Sequence, residues 1–390
     1  MPVEQGQAVA YLAAGKLHVQ DGNGTAQIVE SQFGQSMRRR MLELHQRYEW
    51  KTAGRGAQFM RGGGALWGMG DRDPAEIPIR ITGVTRGSRS GELFYALTTP
   101  EVGGLFRVRD GVEQRLFHTN DYRVSDTAYG LGDRIACVCN HRNGSSTIAV
   151  IGADGSGMAE VTQGDTQDES PTWTSANEIV YQSAGMARTP GGYAVGRGPF
   201  AIQKLDIEGG QVTTLAQDPH FDLLGPKVAA DGTLYYIRRP YQTLTPKMNP
   251  LRVALDFVLL PFRLLYAIFQ YINFFSMRYT GKTLTAAGGT AQREADVRQM
   301  MIWGNLINAQ KAARETNGDD APALVPKTWE LVKQDASGAT EVLERGVVHF
   351  DLCPDGSLLY SNGSALFLRQ ANGKTERLLK DSLIQQVVAL

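Results

Sequence analysis

One hairpin pattern recurs six times in this chain: a short apolar strand, a turn bearing glycine, and a second strand ending in polar residues. The clearest copy is 148–163, IAVIGADGSGMAEVTQ, whose turn is built on Asp154 and Gly155. The others are 17–30 (LHVQDGNGTAQIVE), 105–117 (LFRVRDGVEQRLF), 202–217 (IQKLDIEGGQVTTLAQ), 329–344 (WELVKQDASGATEVLE) and 366–380 (LFLRQANGKTERLLK). A single hairpin cannot bury its apolar face in water, so several copies imply a repeat architecture whose neighbours cover one another. Repetition therefore outranks length, since 390 residues would otherwise suggest two or three ordinary domains. A hydrophobic content of 42% with 44 glycines suits a turn-rich β-protein with a large core.

Forty basic residues balance forty acidic ones, which excludes a global attraction to nucleic acid. Cys137 and Cys139 lie two apart in the apolar run IACVCN, so a strand places both on one face as core residues. A zinc pair would need a turn between the thiolates and a second pair elsewhere, and the sequence has neither. No metal and no cofactor is expected. The first residues, MPVEQGQAVAYLAAGK, lack a basic stretch followed by a long apolar one, and a cytoplasmic location is expected.

The strand pattern breaks over 31–76. Across 35–51 the period turns helical: Met37, Met41, Leu44 and Tyr48 form one apolar stripe, while Arg38, Arg39, Arg40 and Arg47 lie off it. A surface helix packed on the repeats and a basic amphipathic helix facing anionic lipid or a partner both fit this spacing. The glycines of 55–70, RGAQFMRGGGALWGMG, lack the strand-then-helix setting of a phosphate cradle and read as an irregular loop.

Residues 147–181 run through IAVIGADGSGMAEVTQ and then DESPTWTSANEIVYQ. This resembles the TolB-like β-propeller repeat, whose hairpin is followed by a Pro-x-Trp-Ser-Pro-Asp-Gly innermost strand. Pro171 and Trp173 match, whereas Thr174, Ser175, Ala176 and Asn177 depart from the Ser-Pro-Asp-Gly turn. That turn is better kept in VAADGTLYYI (228–237) and LCPDGSLLYS (352–361). The resemblance covers most of the chain outside two insertions, and it implies a propeller fold while saying almost nothing about function. TolB also carries a separate N-terminal α/β domain and a secretion signal; neither has a counterpart here, so its periplasmic role is not carried over.

Six hairpins predict six blades. The stretch 382–390, SLIQQVVAL, is an apolar strand without a hairpin, and the first blade lacks an innermost strand. The C-terminal strand is thus expected to complete the first blade, closing the ring and removing its exposed edges. Setting aside about 46 and about 86 inserted residues leaves roughly 43 per blade, within the usual propeller range. The expected architecture is an all-β, six-bladed propeller made of 1–30, 77–240 and 327–390. Two partly helical insertions, 31–76 and 241–326, complete it, the second lying within blade five.

The second insertion opens with the most apolar part of the chain, 251–277, LRVALDFVLLPFRLLYAIFQYINFFSM. About 20 apolar residues suffice to span a bilayer. A single crossing, however, would put the first four blades and the last on opposite sides of the membrane, which a closed ring does not allow. On a helix, Arg252, Asp256, Arg263 and Gln270 make one narrow polar stripe on an apolar cylinder, and Pro261 bends or divides it. Three readings fit: insertion in a membrane interface, docking into a protein partner or a second copy, and packing onto the chain's own propeller. The residues that would supply the contact are Leu264, Phe269, Phe274 and Phe275, with Arg38, Arg39 and Arg40 adding attraction to anionic headgroups. A second amphipathic helix is expected over 292–314, with Val297, Met300, Met301, Gly304 and Ile307 on one side. Strand parity places both insertions on one face, together with the loop 183–199 that carries Arg188 and Arg197.

Motifs for chemistry are sparse. No Gly-x-Ser-x-Gly elbow, phosphate-binding Walker loop or His-Glu-x-x-His pair occurs. Four histidines, His118, His141, His220 and His349, fall near the loop-rich face, and some propellers related to the TolB-like repeat are polysaccharide lyases with a histidine-bound metal. None of the four has ligand spacing. The expected function is a non-enzymatic cytoplasmic scaffold that docks through 251–277 onto a protein partner, a second copy, or the inner face of a bacterial membrane. The alternative is a propeller lyase or hydrolase with a metal or substrate site at the channel mouth.

Overall fold

The computed structural model describes residues 7–52, 79–99, 102–242, 299–302, 305–308 and 321–390. The chain begins with β1 (Val9–Ala13), β2 (Lys16–Gln20) and β3 (Ala26–Val29), followed by helix α1 (Gln32–Thr52). The next sheet is β4 (Arg80–Arg86), β5 (Leu93–Thr98), β6 (Gly103–Arg109) and β7 (Val112–Thr119). Then come β8 (Arg123–Gly130), β9 (Arg134–Asn140), β10 (Ser146–Gly152) and the short β11 (Ala159–Glu160). After them run β12 (Thr166–Trp173), β13 (Glu178–Arg188), β14 (Ala194–Arg197), β15 (Ala201–Asp206) and β16 (Gln211–Ala216). One parallel bridge, Ser146 to Gln167, joins these last two groups into a nine-stranded sheet.

A further sheet is assembled from β17 (Phe221–Val228), β18 (Leu234–Pro240), and, after the long insertion, β21 (Glu330–Gln334) and β22 (Thr340–Arg345). Within the insertion lie β19 (Gln299–Ile302) and β20 (Asn305–Asn308). The chain ends with β23 (His349–Leu352), β24 (Leu358–Ser361), β25 (Ala365–Arg369), β26 (Thr375–Lys380) and β27 (Ile384–Ala389). β27 pairs antiparallel with β1, so the two ends of the chain share one sheet, ordered β27-β1-β2-β3. The first strands of successive groups touch in a cycle: β27 meets β4, β4 meets β8, β8 meets β12, β12 meets β17, β17 meets β23, and β23 returns to β27.

All six hairpins of the sequence pattern appear as the third and fourth strands of their groups. Their first strands hold the buried apolar residues and their second strands hold none, as in β6 against β7 and β15 against β16. Burial of Ile135, Ile148, Ile151 and Ile179 is complete, each worth about 1.5–3 kcal/mol. Cys137 and Cys139 sit in this core with Ala96, Val124 and Ala149. Five first strands carry a bulge, β27 among them; the residues skipped are Asp126 in β8, Ser170 and Pro171 in β12, and Gly225 and Pro226 in β17, with Asp126, Ser170 and Gly225 at φ of 38°, 52° and 59°. In β4 the bulge places Gly83 where an added Cβ would lie 2.6 Å from the Asp126 nitrogen, so neighbouring strands meet backbone to backbone there.

One expectation about the insertions needs correction. In place of a helix over 292–314, Gln299–Ile302 and Asn305–Asn308 pair as an antiparallel hairpin. The sequence offers one reason, since Gly304 would cost a helix about 1 kcal/mol. The last residues of the second inserted stretch pack on the sheets. Ala321, Leu324 and Val325 are buried, and the last two pack with Trp329, Val347, Val348 and Tyr360. Asn362 binds this return segment, its amide donating to Ala321 O at 2.9 Å while its carbonyl accepts from Leu324 N at 2.9 Å.

Candidate functional site

The cycle of first strands is fastened by side chains, one link at each junction. Thr82 Oγ1 of β4 donates to Val124 O of β8 at 2.7 Å. Ser170 of β12 donates through its backbone N and its Oγ to Asp126 Oδ2 of β8, both at 3.2 Å. Thr172 Oγ1 of β12 donates to Pro226 O of β17 at 2.9 Å, and Lys227 Nζ of β17 pairs with Asp351 Oδ1 of β23 at 3.3 Å. His349 Nδ1 and Asp351 Oδ2 of β23 accept from Val387 N and Ala389 N of β27, at 3.3 and 3.0 Å. Gln386 of β27 closes the circuit onto Val84 of β4, accepting its N–H at 3.0 Å and donating to its carbonyl at 3.2 Å. The bulges make this possible, because they turn Asp126 and Ser170 towards the adjacent strand instead of along their own ladder. Burial, reinforced by the Lys227 charge, pushes His349 down to about 3, which keeps its ring neutral and able to accept.

Beside this circuit lies a buried charge cluster on the face from which the insertions leave. Arg197 binds Asp222 bidentately at 2.8 and 3.0 Å, Arg239 Nε adds a bond at 2.9 Å, and Phe200 N a fourth at 3.0 Å. Burial would raise the Asp222 carboxyl, but the Arg197 bonds, the Phe200 N–H and both guanidinium charges outweigh it and hold it below the ordinary range. The guanidinium of Arg239 faces the Trp329 ring at 5.0 Å, that of Arg197 faces Phe200 at 4.2 Å, and the Tyr241 hydroxyl donates to Arg197 O. The cluster therefore clamps three things together: the base of β14, the end of β18 where the long insertion departs, and Trp329 where it returns. Nearby, Glu169 accepts from Gln182 Nε2 at 3.0 Å, and Gln182 Oε1 accepts from Gly225 N at 2.7 Å. Burial and the Asp126 charge push Glu169 up to about 7, against the opposing pull of Arg197 and Arg239.

Arg38, Arg39 and Arg40 are exposed on α1. The start of that helix is anchored: Gln32 N and Phe33 N donate to the Glu113 carboxylate at 2.9 Å, Gly34 N donates to Ser31 Oγ, and Phe33 packs on Phe106 at 5.1 Å. Met37 is half-buried. Leu264, Phe269, Phe274 and Phe275, with the whole of 251–277, lie outside the described residues. No helix among the described residues is long and apolar enough to cross a membrane. The four histidines are not brought together as ligands: His118 packs on Phe33, His141 bonds Thr147 at 2.9 Å, His349 bonds β27, and His220 offers its backbone oxygen to Tyr241 N. Among the described residues no group of three or more His, Cys, Asp or Glu could hold a metal ion. Trp173, the residue that carries the repeat resemblance, links β12 to β8, its indole N–H donating to Ala128 O at 3.0 Å.

Sequence reasoning passed over Asp222, Arg239 and Glu169. Their one signal was charge inside a strand pattern, as in YYIRRP and FDLL. On the opposite face a cleft of about 740 Å³ opens between turns, lined by Arg89, Glu92, Arg107, Tyr129, Asp133 and Arg134 among others. Much of its charge is already engaged: Tyr129 donates to Asp133, Arg107 approaches Glu92 at 3.9 Å, and Arg134 covers Trp173 at 5.0 Å.

No family model and no curated protein matches this chain. Solved structures do. TolB from Acinetobacter baumannii superposes with a TM-score of 0.51 at 10% identity, covering 100% of this chain and 67% of that one. A chain of a nidogen/laminin complex superposes with a TM-score of 0.50 at 9% identity, covering 99% of both. An oligogalacturonate lyase in complex with manganese is more distant, with a TM-score of 0.37 at 14% identity over 60% of this chain and 56% of that one, and carries no argument. At such identities the first two likenesses concern the fold alone: this chain has the architecture of a β-propeller.

Proposed function

We propose that the chain is a six-bladed β-propeller, closed by its C-terminal strand, that acts as a non-enzymatic scaffold docking one elaborated face onto an anionic membrane surface. The observation that carries this reading is strand parity. Because strands alternate in direction within each group, the connection from second to third strand and the connection to the next group emerge on the same side. The segment 31–79, the β13–β15 connection and the segment 243–329 all leave from that side. The exposed Arg38–Arg40 cluster suits the anionic inner leaflet, and the apolar 251–277 supplies the sequence for burial in its interface. The closed circuit of inter-strand bonds supports the scaffold reading, since it commits the polar side chains of the first strands to holding the ring.

Flotation with vesicles tests it. The full chain is expected to float with vesicles of phosphatidylcholine and phosphatidylserine, and Phe269→Asp with Phe274→Asp to abolish flotation. Changing Arg38, Arg39 and Arg40 to Gln should weaken binding mainly on anionic vesicles at low salt, by about 1 kcal/mol per residue. A chain that floats on no lipid but forms oligomers disrupted by the Phe-to-Asp pair would show the elaborated face to be a protein-docking surface instead.

A further inference from the structure

β13 is the longest strand described, and it outruns its sheet. Glu178–Ser183 pair with β15, but Met186–Arg188 continue beyond and pair with β14, making a two-stranded arm turned by Thr189–Gly192. The arm is braced. Arg188 bonds Asp165 Oδ1 at 2.7 Å, Asn143 O at 3.1 Å and Gly192 O at 3.1 Å, while Arg197 at its base is locked to Asp222. A free two-stranded ribbon is marginal in water, so these bonds hold in place a shape that would not persist alone. What the braced arm presents is apolar: Tyr193 is 77% exposed, more than any other large apolar side chain described, and Val195 is 57% exposed. Residues 184–200 contain no Asp or Glu. With no carboxylate of its own, the arm does not repel an anionic surface, and its exposed tip is free to enter an interface.

We propose that the β13–β14 arm is a second lipid-contacting element, which seats Tyr193 and Val195 at the headgroup boundary of an anionic membrane. The inference rests on the membrane reading of the elaborated face, and parity puts the arm on that same side. Tyrosine fits the role because its ring has an apolar body and a hydroxyl that stays wet, the pairing enriched at membrane interfaces. The arm and the Arg38–Arg40 cluster leave from different blades, so contact at both would fix the orientation of the propeller on the surface, which a single anchor would not.

The three native cysteines are buried, so an introduced cysteine can be labelled selectively. Tyr193→Cys carrying an environment-sensitive fluorophore is compared with Leu131→Cys, whose parent side chain is 68% exposed in the β8–β9 turn on the opposite face. With vesicles of phosphatidylcholine and phosphatidylserine, the probe at 193 should shift to the blue and brighten severalfold while the probe at 131 stays unchanged. Tyr193→Asp with Val195→Asp should weaken flotation severalfold without altering the melting transition. If the unlabelled chain floats and the probe at 193 is silent, the arm is not a lipid contact, although the membrane reading survives. If both probes shift equally, binding is unoriented and the inference fails. If the chain does not float at all, the membrane reading fails and the arm proposal with it.

Discussion

The two faces of the propeller are built by opposite rules. On one, every connection is a short turn, and an aspartate side chain closes many of them: Asp21, Asp154, Asp206, Asp231, Asp335 and Asp355 each accept backbone N–H groups two or more residues ahead. On the other face the chain leaves the sheets for a helix, a braced arm and a long insertion, and the polar chemistry moves inward to Asp222, Arg197, Arg239 and Glu169. Local turns need only their own residues, so the plain face is stabilised within each hairpin. The elaborated face must tie distant segments together, which takes charged groups with long reach and burial to strengthen them. The Asp222 clamp holds the ends of the arm and of the long insertion, while Glu113 and Ser31 hold the start of the helix.

The largest expected effect tests what both faces share, the proposed closure of the propeller by β27. Removing residues 382–390 deletes β27, with Ile384, Val387 and Ala389 fully buried, and breaks two junctions of the polar circuit. The truncated chain should lose its cooperative melt or aggregate through the bared edges of β1 and β4; an unchanged melting curve would show that β27 closes nothing. Next in size is Asp222→Ala. It leaves two guanidinium groups buried without their carboxylate, and should cost about 3–5 kcal/mol in urea unfolding. Asp154→Ala, its counterpart on the plain face, removes an exposed turn clamp and should be nearly silent. Equal losses at the two sites would erase the distinction between the faces.

A third experiment asks where the elaborated face ends. Replacing 244–320 with a Gly/Ser linker should leave the melting transition intact, because Tyr241 and Ala321 are already held on the sheets. Extending the deletion through residue 325 also removes the buried Leu324 and Val325, and should cost about 2–5 kcal/mol. Indistinguishable melts for the two deletions would mean that the return segment contributes no packing.

This boundary marks how far the sequence could be read. The repeated hairpins were legible because strand, turn and strand are local, and a period of two with glycine at the turn needs no knowledge of distant residues. The pairing of 384–389 with the first strand was legible too, by counting what each end lacked. Thr82, Asp126 and Ser170 were not, since a bulge is set by register against a neighbour and leaves no mark in composition. Leu324 and Val325 sit in a loop-like stretch, NGDDAPALVP, whose burial depends on Asn362 in the next sheet. The apolar spacing of 292–314 matched a helix, yet Gln299–Ile302 and Asn305–Asn308 pair as antiparallel strands: four-residue strands are too short for periodicity to separate the two.

The smallest expected effect separates the faces by the sign of their response to pH. Turn aspartates such as Asp154, Asp335 and Asp355 are held below the ordinary range, chiefly by the serine two residues on, so their contribution is present above their unfolded value and lost as pH falls. Glu169 runs the other way. Its carboxyl rises from 4.5 to about 7, so the folded chain holds the proton more tightly than the unfolded one. Its contribution is full below pH 4.5 and is lost as pH rises through about 7. Glu169→Gln keeps an amide that can still meet Gln182 and cannot ionise. The variant should match the parent in acid and exceed it at neutral and alkaline pH, read as the difference in urea midpoint across the range. A parent and variant that stay parallel at every pH would place Glu169 in ordinary contact with solvent, and the buried charge of the elaborated face would then reduce to the Asp222 clamp alone.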